Sequence, residues 1–158
     1  MIYFDLDGVL RDLNGAAGIS PVEWNCKIGK DNLRYVPYFT ENLNLLYIAR
    51  PTLYLEVAEV FHKHYGITIL TDQILSWRRI THLWVDEHFV CSSPSIVFSN
   101  DKLSLLREGD ILVEDHPYLT DYSKVILVDM PYNRGIRLPH VRVSNTHQLF
   151  REICRRIK

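Results

Sequence analysis

The opening of the chain, Met1-Ile-Tyr-Phe-Asp-Leu-Asp-Gly-Val-Leu-Arg11, constrains the fold more than any other stretch. Ile2, Tyr3, Phe4 and Leu6 make it apolar at nearly every position, the pattern of a strand buried on both faces of a parallel sheet. Asp5 falls in the last part of this run, where a carboxylate is costly without a metal ion, hydrogen-bond donors or cleft water. Asp7 follows, and Gly8 lets the backbone turn sharply and come close to whatever the carboxylates hold. Two readings are open here: a site, or an ordinary strand-to-turn junction in which Asp and Gly serve local hydrogen bonding and positive φ.

At 158 residues the chain suits one domain with room for a small insertion, and it can bury a real core. With 47% hydrophobic and 23% charged residues it has the composition of a soluble globular protein. A formal net charge of -1 supplies no global field for nucleic acid or an anionic membrane. No stable nucleic-acid partner is therefore expected, and any phosphate must be held by local groups. Cys26, Cys91 and Cys154 are odd in number, widely spaced and without a Cys-x-x-Cys pair, against a disulfide framework or structural zinc. A reducing, cytoplasmic setting is the expectation. With a strand expected from residue 2, no signal or transit peptide is expected, and no apolar stretch approaches the roughly 20 residues of a membrane span.

Residues 12–51 are weakly patterned, as expected of a small helical cap inserted after the first strand. They hold a Gly-Ala-rich turn at 15–18, a helix start at Ser20-Pro21-Val22-Glu23, a stop at Gly29 and a second helix within 40–48. Residues 1–11 and 52–158 then form the core domain. Thr52 is placed to cap a helix over 53–65, ended by Gly66, and 67–71 reads as a strand. A helix is expected over 72–89, strands at 96–98 and 110–115, a short helix at 117–122 and a strand at 125–128. A loop at 130–139, an edge strand around Val141 and Val143, and an amphipathic helix from Thr146 complete the chain. The cations Arg151, Arg155, Arg156 and Lys158 on that helix suggest nucleic acid, but near a helix C-terminus they complement the macrodipole, and we read them so.

Strands alternating with helices imply an α/β fold, a Rossmann-like parallel sheet sandwiched by helices, in which ligands bind outside the carboxyl ends of the strands. Asp5, Asp7, Thr71, Glu114 and Asp115 all fall at such ends, and Lys102 begins a turn nearby. Each has a dull explanation alone; together they do not share one. Carboxylates without histidine or cysteine make a hard oxygen site, suited to Mg²⁺ rather than zinc. In such a site Asp5 can attack phosphorus to form an aspartyl-phosphate, and Asp7 can give a proton to the leaving alcohol and later take one from water. Thr71 and Lys102 can hold the phosphoryl oxygens, with Asp72 beside Thr71 on the same phosphate.

These segments, Phe4-Asp-Leu-Asp-Gly-Val-Leu10, Ile69-Leu-Thr71, Asn100-Asp-Lys102 and Val113-Glu-Asp-His116, resemble in order the motifs of the haloacid dehalogenase-like phosphohydrolase superfamily. The resemblance implies a nucleophile at Asp5, an acid/base at Asp7, phosphate contacts from Thr71 and Lys102, and Mg²⁺ held by Asp5, the Asp7 carbonyl and Asp115. Glu114 stands where many relatives have Asp, and its longer side chain leaves open whether it meets the metal directly or through water. Within the superfamily the chain looks most like the 5'(3')-deoxyribonucleotidases, through the short cap, the Asp-Gly-Val-Leu-x-Asp opening, the acidic pair followed by Pro117, and Pro131-Tyr-Asn-Arg134 before Val141-Arg-Val143. Arg11 and His116 depart from that pattern.

The expected activity is hydrolysis of a small-molecule phosphate ester, nucleoside monophosphates above all, with no membrane partner; a homodimer is compatible with it. Substrate choice is expected from the cap, where Trp24, Tyr35, Tyr38, Phe39 and Tyr47 are either a stacking face for a base or simply the cap's own core. His116 is either a loop histidine or a group that tunes the site. Alternatives are a phosphatase of nucleic-acid ends or of another metabolite, and a catalytically silent phosphate-binding member of the fold.

Overall fold

Apolar runs at the predicted strands pair as expected in the computed structural model, which describes residues 1–18, 35–119 and 121–157. β1 (Ile2–Phe4), β2 (Ile67–Thr71), β3 (Ser95–Phe98), β4 (Ile111–Glu114), β5 (Val125–Val128) and β6 (Val141–Val143) form one six-stranded sheet. Its order is β3-β2-β1-β4-β5-β6, and every pairing is parallel. The chain moves outward in one direction from β1 and in the other from β4, so the carboxyl ends of these neighbours flank the switch point where open α/β sheets bind ligands.

The helices are α1 (Leu13–Ala17), α2 (Tyr35–Glu41), α3 (Leu43–Ile48), α4 (Tyr54–Tyr65), α5 (Leu75–His88) and α6 (Thr146–Arg156). Because Ile2 sits opposite Ile67 and Ile111, and Phe4 opposite Ile69 and Val113, these side chains share a face. That face packs against Leu55, Ala58 and Phe61 of α4, Trp84 and Val85 of α5, and Leu149 and Ile153 of α6. On the other face Leu70, Leu112 and Val125 pack with Leu106, Leu103 and Leu119, and no α-helix of the described residues joins that cluster. The helical cover is thus uneven. Parallel strands are usually joined through a helix, but Pro117 interrupts the β4–β5 connection and Pro131, Gly135 and Pro139 the β5–β6 connection.

Local differences from the sequence expectations have identifiable causes. The turn expected at 15–18 is instead the end of α1, whose first turn is capped by Asp12 accepting from the Gly15 amide at 2.9 Å. The helix expected within 40–48 is two helices, parted where the Asn42 side chain donates to the Tyr38 carbonyl at 2.8 Å. Residues 117–118 and 122–124 are turns, not a helix, and the Asp121 side chain accepts from Ser123 Oγ at 2.6 Å there. α5 starts at Leu75 because Gln73 is buried and turned inward. The helix signals at 20–23 and Gly29, together with Trp24 and Cys26, lie outside the described residues, as does the side chain of Tyr35.

The described part of 12–51 does not stand apart from the core. Leu13, Phe39, Leu46 and Ala49 form a second cluster with Trp77 of α5. The Trp77 indole donates to Thr40 Oγ1 at 3.0 Å, and that of Trp84 to the Ala49 carbonyl at 2.7 Å. No helix of the described residues is long and apolar enough to cross a membrane.

Candidate active site

A cleft of about 300 Å³ opens at the carboxyl ends of the strands, lined by Asp5, Asp7, Thr71, Asp72, Asn100, Lys102, Glu114, Asp115, His116 and Leu119. Every residue singled out from the sequence for chemistry lies on it. Asn100, from the Asn100-Asp-Lys102 segment, and Leu119 line it as well.

β1 and β4 deliver the central acids. The Asp5 amide donates to the Val113 carbonyl at 2.8 Å, so pairing with β4 continues up to the carboxylate itself. Lys102 reaches between the two strands: Nζ lies 2.7 Å from Asp5 Oδ1 and 2.7 Å from Glu114 Oε2. Glu114 Oε1 accepts the amides of Asp115 and His116, each at 3.1 Å. Both oxygens of the longer acid are thereby engaged, and its extra methylene brings it to the lysine.

Asp115 is held by residues that the sequence does not single out. The Tyr132 hydroxyl donates to Asp115 Oδ2. The fully buried Asn133 donates through Nδ2 to the carbonyls of Asp115 and Val128, each at 2.8 Å, tying the loop after β5 to the end of β4. Gly8 explains itself against the same group. Its φ is +92°, and a Cβ there would stand 2.2 Å from Asp115 Oδ2 and 2.9 Å from the Tyr132 hydroxyl, so both backbone and space demand glycine.

Asp7 has different partners. Arg11 Nε donates to Oδ1 at 2.7 Å and Gln73 Nε2 to Oδ2 at 2.6 Å, which leaves the Asp7 carboxylate outside the acidic cluster although it lines the cleft. Thr71 is buried at the end of β2, and Asp72 is exposed at the rim. His116 also lines the cleft, edge-on to Tyr118, and its Nδ1 has no hydrogen-bond partner among the described residues. Burial lowers its pKa, favouring the neutral ring.

The electrostatics are those of a site short of positive charge. Burial, then the neighbouring Glu114, push Asp5 up to about 7 against the pull of Lys102. Burial and the charges of Glu114 and Asp5 likewise hold Asp115 well above the usual carboxylate range. Burial would also raise Glu114, but the Lys102 ammonium outweighs it and Glu114 is lowered. Burial alone would depress Lys102, yet its two carboxylates keep it above its ordinary value.

Asp5, Glu114 and Asp115 each offer an oxygen within 4.8 Å of the others. Asp5, Asp7, Glu114 and Asp115 outnumber the cations Lys102 and Arg11 by two negative charges, and the donors are all hard oxygens. A divalent cation of the Mg²⁺ type fits both the charge and the chemistry.

The cap aromatics are placed elsewhere. Phe39 is fully buried, edge-on to Trp77, in the cluster that joins Leu13, Leu46 and Ala49 to α5. Tyr38 and Tyr47 are exposed, and none of the three lines the cleft. No protein-family model matches the chain, and no curated protein matches it.

Proposed function

We propose that this chain is a Mg²⁺-dependent phosphomonoesterase of the haloacid dehalogenase-like type, hydrolysing nucleoside monophosphates, deoxyribonucleotides first among them. The observation that carries the reading is the meeting of Asp5 with the sequence-distant pair Glu114 and Asp115 in a cleft at the switch point of the sheet, where Lys102 bridges Asp5 and Glu114. The exposed free thiols of Cys91 and Cys154 suit a reducing, cytoplasmic setting.

In this reading an Asp5 oxygen bonds to phosphorus as the ester P–O bond breaks. The departing alkoxide takes a proton from the Asp7 carboxyl, leaving an aspartyl-phosphate on Asp5. Water then attacks that phosphorus, giving its proton to Asp7 and releasing inorganic phosphate and free Asp5. Thr71 and Lys102 hold the phosphoryl oxygens, and Lys102, anchored by Glu114, keeps Asp5 turned toward them. Asp5 and Asp115 would hold the Mg²⁺, which supplies the charge that lets an anionic carboxylate approach an anionic phosphate.

The test is turnover against nucleoside 5'- and 3'-monophosphates, sugar phosphates and oligonucleotides with terminal phosphates, with Mg²⁺ and with chelator. Metal-dependent release of phosphate from the mononucleotides is expected, and Asp5→Asn should lower it by at least about 10³-fold without loss of fold. Mg²⁺ should also raise the melting temperature of the wild type, since a ligand at 100 times its Kd adds about 2.7 kcal/mol. A folded, Mg²⁺-loaded protein inert toward every ester would end the proposal. Preference for oligonucleotide ends would redirect it.

A further inference from the structure

We propose that Arg11 is a positioning residue for Asp7, fixing the orientation of the carboxylate toward the leaving oxygen through a buried hydrogen-bonded ring. The inference rests on the phosphomonoesterase reading, but it concerns side chains that line no part of the cleft apart from Asp7 itself.

Arg11 and Thr81 are fully buried, and Gln73 nearly so. Two arms of donors lead from Arg11 to Asp7, one direct and one through Thr81 and Gln73. Arg11 Nε donates to Asp7 Oδ1 at 2.7 Å, and Nη2 points at Thr81 Oγ1 at 3.4 Å. The Thr81 hydroxyl spends its proton on Gln73 Oε1 at 2.6 Å, which forces the amide nitrogen of Gln73 onto Asp7 Oδ2 at 2.6 Å. Both Asp7 oxygens therefore accept from fixed donors, which sets the plane of a carboxylate that lines the cleft.

The guanidinium is itself anchored. Nη1 donates to the Leu46 carbonyl of α3 at 3.1 Å, and the group lies 5.6 Å from the Trp84 ring of α5. Asp7 is thus referenced to the packing of α3 on α5 rather than to the sheet. A buried ion pair is weak evidence of stabilisation, because apolar side chains would fill the same space at no desolvation cost. Its value here is orientation. A proton donor must meet the leaving oxygen within hydrogen-bond distance, and rotation about the Asp7 side chain would lose that contact.

The experiment compares two esters in the Mg²⁺-loaded full chain: a nucleoside 5'-monophosphate, whose alkoxide needs a proton to leave, and p-nitrophenyl phosphate, whose phenolate does not. Asp7→Asn sets the limiting ratio of the two losses. Arg11→Lys and Thr81→Val are expected to lose kcat on the nucleotide by about 10- to 100-fold, a part of what general acid catalysis contributes. They should lose little on p-nitrophenyl phosphate, and KM for both esters should stay near the wild-type value. Should Arg11→Lys not fold, Thr81→Val decides by the same ratio, since it removes one hydroxyl from the ring and touches no substrate. Equal losses on both esters, or a wild-type ratio in the folded variant, overturn the positioning role while leaving the phosphatase intact. A wild type that hydrolyses neither ester removes the parent reading and this inference with it.

Discussion

Two charge clusters in this protein are mirror images in composition and nearly identical in geometry. In the cleft one cation, Lys102, sits 2.7 Å from each of two carboxylates. On α6 one carboxylate, Glu152, sits 2.8 Å from Arg155 and 2.7 Å from Arg156. Distance alone does not separate them; water does. The side chains of Lys102, Asp5 and Glu114 are no more than 10% exposed, whereas on α6 Glu152 and Arg156 are 13% and 11% exposed and Arg155 is 67% exposed, so that cluster opens to water on one side. In the cleft, desolvation dominates and Asp5 is pushed up to about 7. On α6 the hydrogen bond from Arg155, with Arg156 assisting, outweighs partial burial and Glu152 falls to about 2. Each cluster has one charge in excess, but in the cleft it is buried and invites a ligand, whereas on α6 it is left to solvent at the exposed Arg155.

The largest expected difference comes from removing the central member of the buried cluster. Lys102→Met leaves Asp5 and Glu114 facing each other without their cation, and urea unfolding should show a loss of about 3 to 5 kcal/mol in the metal-free protein. A loss below about 1 kcal/mol would place this cluster in the same class as the surface one.

An intermediate effect is expected from Gly8→Ala, which touches only the cleft. The positive φ alone costs about 1 to 3 kcal/mol for a residue with a Cβ. The methyl group must also displace Asp115 or Tyr132, so Mg²⁺ affinity, read by calorimetry, should fall about 10- to 100-fold as it does when groups supporting a metal ligand are disturbed. Unchanged affinity in a folded Gly8→Ala protein would remove Asp115 from the metal site.

The smallest effect belongs to α6. Glu152→Gln should cost about 1 kcal/mol, because the bond to the exposed Arg155 is screened by solvent and salt and only that to Arg156 is sheltered. Its pH dependence has a definite sign. The native carboxyl titrates at about 2 against an ordinary 4.5, so its contribution is complete above pH 4.5 and is lost as pH falls toward 2. Thermal melts of wild type and variant should converge over that window and stay parallel above it.

Much of this organisation is visible along the chain. The apolar runs at 2–4, 67–71, 111–114 and 125–128 are too continuous for half-exposed strands, and polar residues at their carboxyl ends stand out for that reason. The helical repeat of α4 is equally plain, since Leu55, Ala58 and Phe61 recur near helical spacing. The segments around Pro117 and Asn42 are less legible, because a short segment between strong signals takes its conformation from a few local hydrogen bonds. Gln73 read as part of a helix because nothing beside it reveals a partner 66 positions earlier.

Composition and periodicity alone determined that this chain forms a parallel α/β sheet and that Asp5, Asp7, Thr71, Lys102, Glu114 and Asp115 gather near its carboxyl edge, because burial preference is a property of each residue and its near neighbours. Only the tertiary structure decided that Glu114 anchors Lys102, that Tyr132 and Asn133 hold Asp115, and that a buried Arg11 grips Asp7. Those pairings depend on which groups lose water together, and that is settled only when distant segments pack.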